Sequence, residues 1–168
     1  MRLFIAINLD DNIRDALAQM QESMRRQGVR GNYTKIENLH LTLAFIGEYG
    51  DPDAVNEALA SVPLEPFRLA LRGYGSFGNL YWAGLEDSDK LSAYVKRLRH
   101  ALAERGIPFD RKYSPHITLV RQASAGLPRL SVPSVSMEVR HVSLMRSERG
   151  KNGMIYTEIG CVESMKNA

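Results

Sequence analysis

The chain has 168 residues, 44% hydrophobic and 24% charged, with a formal net charge of +3. That size suits one domain or two small lobes sharing a core, and the composition is that of a soluble globular protein. No run of about 18 apolar residues is present to span a membrane, and the apolar part of the opening MRLFIAINLDD is too short for a secretory leader. The lone Cys161 has no disulfide partner and no CxxC metal spacing, so a reducing, cytoplasmic setting is expected.

Residues 3–7, LFIAI, read as a buried strand ending near Asn8. Over 11–27, Ile13, Leu17, Met20 and Met24 form one helical stripe, closed by Gly28. A short strand is expected at Tyr33–Lys35, then a longer one from His40 through Ile46 to a turn at Gly47. Asp51 and Pro52 resemble an N-cap and a first-turn proline, opening a short helix that carries Val55 and Leu59. Phe67, Leu69 and Leu71 give a half-buried strand, 73–79 a turn region, and 80–83 its partner strand. A third helix spans 88–105 on the stripe Leu91, Val95, Leu98 and Leu102, stopped by Gly106. Residues 115–121 form a further strand, and 122–134, rich in Ser, Pro and Gly, a loop. Two late strands, 137–147 and 154–162, flank the basic turn Arg149 to Gly153, and the final MKNA is expected to fray. The strand–helix–strand outline recurs after residue 66. The pattern predicts an α+β chain with mostly antiparallel sheets, as a single domain over 1–168.

Two of the strands carry the same tetrapeptide: His40-Leu41-Thr42-Leu43 and His116-Ile117-Thr118-Leu119. On a strand, residues two apart share a face, so each His stands beside its Thr while the aliphatic pair points into a core. Only four histidines occur in the chain, and two of them are displayed in this way. Histidine donates and accepts protons near neutrality. One ring can therefore act as general base and the other as general acid. Phosphoryl displacement sets the attacking and leaving oxygens in line on opposite sides of phosphorus, a demand that two histidines across a pseudo-two-fold axis meet. The threonine hydroxyls, Thr42 and Thr118, suit the non-bridging phosphate oxygens. Neither motif holds the His-x-His, carboxylate or Cys partner that a metal would want, and no GxSxG nucleophile elbow exists, so no metal or cofactor is expected. His100 and His141 read as structural, and Cys161 as part of a core strand.

These residues resemble the 2H phosphoesterase superfamily, which is defined by two HxTx motifs. The similarity is greatest to the RNA 2′,3′-cyclic phosphodiesterases, also described as 2′-5′ RNA ligases. It rests on ENLHLTLAFIGE (37–48), SPHITLVR (114–121) and the RLFIAI strand, and the order of elements agrees along the whole chain. The resemblance implies a bilobal fold with pseudo-two-fold symmetry, helices on the outer faces and one motif from each lobe lining a central cleft. It implies hydrolysis of a terminal 2′,3′-cyclic phosphate on RNA to a 2′-phosphate, with His40 as proton donor and His116 as proton acceptor; the residues themselves treat the two histidines as equivalent. The partners implied are RNA ends with a cyclic phosphate, tRNA fragments or cyclic nucleotides among them, with no membrane and a monomer as the default. RNA joining in the same site, and a non-catalytic RNA- or phosphate-binding module, stand as alternatives.

Further substrate contacts are less sharply defined. Of the 22 basic residues 16 are Arg, whose forked donors match phosphate, although surface solubility accounts for an Arg excess as well. Arg121 ends the second motif, but in a regular strand it faces the Ile117 side and needs a bulge to reach phosphate. Phe45 shares the parity of Leu41 and Leu43 and is expected in the core. Tyr33, Tyr113 and Trp82 are candidates for stacking bases, with core packing the competing role. Arg25, Arg26, Arg30, Arg149 and Lys151 are candidate contacts to an RNA backbone or simply a solvated charged surface.

Overall fold

The computed structural model describes residues 1–165; of the expected fray at 165–168, residues 166–168 lie outside the described residues. Among the described residues the elements run β1 (Arg2–Asn8), α1 (Asp11–Arg26), β2 (Asn32–Tyr33), a single 3₁₀ turn (Ile36–Asn38), β3 (His40–Glu48), α2 (Pro52–Ala60), β4 (Phe67–Phe77), β5 (Leu80–Leu85), α3 (Asp89–Glu104), β6 (Ile117–Arg121), β7 (Ser136–Val139), β8 (His141–Gly150) and β9 (Gly153–Glu163). The helix starts follow from side-chain caps. Asp10, Asp51 and Ser88 accept from the amides of Ile13, Ala54 and Leu91 at 3.0–3.1 Å. Gly28 and Gly106, at φ 88° and 68°, end the two long helices in the left-handed conformation that favours glycine.

All strand pairs are antiparallel and fall into two sheets, ordered β3-β1-β8-β9 and β2-β6-β5-β4-β7. Each motif strand lies beside the strand that precedes its helix: β3 beside β1 across α1, and β6 beside β5 across α3. Two more strands follow in each sheet, so β3-β1-β8-β9 matches β6-β5-β4-β7, with β2 added at the margin. The back faces of both sheets, including Leu3, Ile5, Leu41, Leu43, Ile117 and Leu119, are fully buried in one shared core. The helices are exchanged between the lobes. α1, launched from β1, packs on β6 and β7, whereas α3, launched from β5, packs on β3 and on α2, which covers β8 and β9.

Two expectations are corrected. Residues 73–77 are not a turn but the second half of β4, which reverses only at Gly78-Asn79. Gly73, at φ 72°, marks a bulge in which Arg72 and Gly73 face Gly84, and the Arg72 carbonyl lies 2.5 Å from where a Cβ on Gly84 would sit. The late strand expected over 137–147 is two strands. It breaks at Arg140, with β7 in the five-stranded sheet and β8 in the four-stranded one.

Candidate active site

The cleft face of the four-stranded sheet carries Asn8 opposite His40 and Ala6 opposite Thr42; that of the five-stranded sheet carries Trp82 opposite Thr118. β3 and β6 are neighbours, which brings the two motifs to the same cleft. Each histidine is anchored in the same way. The Nδ1–H of His40 donates to the Asn38 carbonyl at 2.7 Å, and that of His116 to the Ser114 carbonyl at 2.6 Å. A carbonyl only accepts, so Nδ1 carries the proton in the neutral ring and Nε2 is left for chemistry. His40 Nε2 lies 2.9 Å from Thr42 Oγ1.

An aromatic ring stands edge-on to each histidine. Tyr156 meets His40 at 5.4 Å and 89°, with Phe4 at 4.9 Å on another side. Phe77 meets His116 at 5.1 Å and 85°, and is itself 45% exposed. The sequence reading missed these three rings. Phe77 fell in the stretch taken for a turn, and Tyr156 reaches His40 only through a pairing that local sequence does not encode.

His40 holds its pKa below the usual 6.5 because burial penalises the charged ring; the Asn38 carbonyl opposes this, and the charges of Arg121 and His116 add to it. The guanidinium of Arg121 thus acts on the site. A bulge turns it there: Trp82 pairs with Thr118 and Tyr81 with Val120, so Leu119 is an extra residue and the parity after it is reversed. β3 does the same at Leu43, between the pairs Ala6–Thr42 and Ile5–Ala44. As a result Phe45 is not in the core, but is 36% exposed beneath the Arg2 guanidinium at 5.0 Å.

A cleft of about 890 Å³ opens beside His40, lined by its neighbours rather than by the four motif side chains themselves. Its walls include Asn38 and Tyr156, both touching His40, and the cations Lys35, Arg121, Arg149 and Lys151, with no acidic residue among its described lining. Tyr33 lines it too, under the Arg25 guanidinium at 4.1 Å and with its hydroxyl donating to the Val29 carbonyl at 2.7 Å. Arg26 and Arg30 are exposed outside it. Tyr113 packs beside Arg99 at 5.5 Å, burial pushes its phenol up to about 12, and it does not line the cleft. Trp82 lies across Gly75 and against Phe77 at 5.3 Å.

Of the remaining histidines, His100 pairs with Glu104 at 3.0 Å on the surface of α3. His141 bonds Glu158 at 2.5 Å. Cys161 is exposed, not in the core as expected. The ligand atoms of His141, Cys161 and Glu163 lie within 4.8 Å of one another, a grouping across β8 and β9 that spacing along the chain conceals; it includes neither motif.

This geometry has close counterparts. A family model described as the 2′-5′ RNA ligase superfamily matches residues 9–151. An RNA 2′,3′-cyclic phosphodiesterase of Methanothermobacter thermautotrophicus is 30% identical, covering 95% of this chain and 96% of that protein. One of Thermus thermophilus is 35% identical, covering 94% and 87%. The crystal structure of Escherichia coli LigT complexed with 3′-AMP superposes with a TM-score of 0.82 at 26% identity, covering 98% of both chains. The chain belongs to the 2′-5′ RNA ligase superfamily, the two-histidine phosphoesterases. Its place within that superfamily is the RNA 2′,3′-cyclic phosphodiesterase family.

Proposed function

We propose that this protein hydrolyses the terminal 2′,3′-cyclic phosphate of RNA to a 2′-phosphomonoester. The observation that carries the reading is the duplicated anchor, in which each motif histidine spends Nδ1 on the carbonyl two residues before it and keeps Nε2 for the cleft. Water attacks phosphorus while His116 Nε2 takes its proton. The bond from phosphorus to the 3′ oxygen breaks, and His40 Nε2–H protonates that oxygen. The proton gained at His116 and the one lost at His40 are then exchanged with solvent. Thr42 and Thr118 donate to the non-bridging oxygens, and Arg121 offsets their charge. The division of roles follows the family resemblance. Burial supports His40 as a strong acid once charged, and the anionic phosphate beside it favours that charged form.

His40→Ala and His116→Ala, each folded, should lower turnover of a 2′,3′-cyclic-phosphate oligonucleotide by roughly 10²- to 10⁴-fold. Rates near wild type in either variant refute the mechanism, and a 3′-phosphate product reverses the leaving group and with it the roles. Turnover should survive excess EDTA, since neither motif offers a metal its usual set of ligands; loss restored by zinc refutes this. The family description also names ligation. Adding a 5′-hydroxyl acceptor and measuring joined against hydrolysed product decides how the same two groups are used.

A further inference from the structure

We propose that Gln21 and Arg99 are the positioning residues of the two motifs, each reaching from a helix launched by one sheet to the bulged carbonyl of the other sheet's motif strand. This rests on the two-histidine reading above. A bulge takes one residue out of the ladder and leaves its backbone groups to find other partners. In β3 that residue is Leu43 and in β6 it is Leu119, the fourth residue of each motif, and both are fully buried. The Leu119 carbonyl already takes the Thr34 amide at 3.0 Å, and each buried carbonyl has a second lone pair open to a side-chain donor. From α1, Gln21 Nε2 donates to the Leu119 carbonyl at 3.0 Å, and from α3, Arg99 Nη1 donates to the Leu43 carbonyl at 3.1 Å.

The correspondence goes further. Gln21 stands eleven residues after its helix cap (21 − 10) and Arg99 eleven after its own (99 − 88). The second donor of each goes to the residue six before a motif histidine: Gln21 Nε2 to the Thr34 carbonyl at 2.8 Å (40 − 34), and Arg99 Nη2 to the Asp110 carbonyl (116 − 110). Gln21 is 2% exposed, at a helix position whose neighbours Leu17, Met20 and Met24 are apolar. A side chain that only filled space would be apolar there too. An amide or guanidinium spanning two carbonyls instead ties the bulge after one motif's threonine to the segment that leads into the other motif. It thereby sets where Nε2 and the hydroxyl face the phosphate.

The assignment is crossed, and that makes it testable. Each side chain touches both segments, but only its bond to the bulged carbonyl lies next to a motif threonine, the other being six residues ahead of a histidine. Gln21 should therefore govern chiefly His116 and Thr118, and Arg99 chiefly His40 and Thr42. Gln21→Met and Arg99→Met, with folding checked by thermal melts, should each lower kcat by about 10- to 100-fold, the scale of a 1 Å misplacement. Gln21→Met should cost this factor in the His40→Ala background and clearly less in the His116→Ala background, and Arg99→Met the reverse, because a lost histidine cannot be misplaced and only its threonine remains to be. Arg99→Lys, which keeps a single donor nitrogen in place of the fork, should recover part of the rate. The same cross should appear without turnover: in histidine NMR titrations with inorganic phosphate, Gln21→Met shifts the His116 curve and leaves that of His40, and Arg99→Met does the opposite. Equal costs in both backgrounds, or both curves moving together, overturn the proposal. If the wild type turns over no cyclic phosphate, the enzymatic reading fails while the titrations still decide the clamp. Should Gln21→Met not fold, Gln21→Asn keeps a buried amide too short to span both carbonyls and should give the same cross.

Discussion

The two histidines differ in surroundings though they share an anchor. Burial holds His40 below the ordinary imidazole value of 6.5, helped by Arg121 and His116 and opposed by the Asn38 carbonyl. Between its lowered value and 6.5 the unfolded chain therefore binds more protons than the folded one. The stability contributed by keeping this ring neutral is complete above 6.5 and is lost as the pH falls through the folded value. Thermal melts taken from about pH 7.5 down to 5 should show declining stability. His40→Gln, which cannot titrate, should flatten part of that decline; an unchanged slope refutes the assignment to His40.

At the scale of elements, the glycines of β4 and β5 show what was legible in the sequence and what was not. Gly73 and Gly75 looked like turn residues because glycine punctuates turns far more often than it interrupts long strands. Here Gly73 bends a strand and Gly75 admits the Trp82 ring, which would lie 2.5 Å from a Cβ at that position. Gly84 is tighter still, because its obstacle is backbone. Gly84→Ala should destabilise by about 1–3 kcal/mol, lowering Tm by roughly 2–4 °C per kcal/mol in a chain of this length. Gly50→Ala, with open space around it, should leave Tm unchanged; equal melting of the two variants contradicts the steric account. Helix stripes, caps and motif strands were readable because each depends on residues within one turn or one pleat. The bulges at Leu43 and Leu119 were not, because they arise from the partner strand's register. Phe45 therefore left the core and Arg121 turned to the cleft, against simple alternation. His40 and His116, with their threonines, kept their expected faces because they precede the bulges.

Over the whole molecule, a net charge of +3 conceals an uneven distribution. The cleft wall holds Lys35, Arg121, Arg149 and Lys151 with no acid among its described residues, whereas Glu158 and Glu163 lie toward the other end of the β8–β9 hairpin. Oligonucleotide affinity should fall steeply with salt. Arg149→Gln and Lys151→Gln should each reduce the slope of log affinity against log salt by about 0.7, the loss of one phosphate contact on a single strand. A slope unchanged in both variants would place the RNA elsewhere.

The exchanged helices bear on motion as well as on architecture. Where each lobe is covered by its own helices, a cleft can widen by hinging and narrow again around a substrate. Here α1 is rooted in one sheet and lies on the other, and α3 does the converse. Parting the lobes would strip both helices from the surfaces they cover, exposing the apolar backs of two sheets at once. The spacing of the two motifs is therefore tied to the core that the helices close. The RNA end proposed as substrate would meet an opening whose width that shared core sets, so ends that already fit should be favoured.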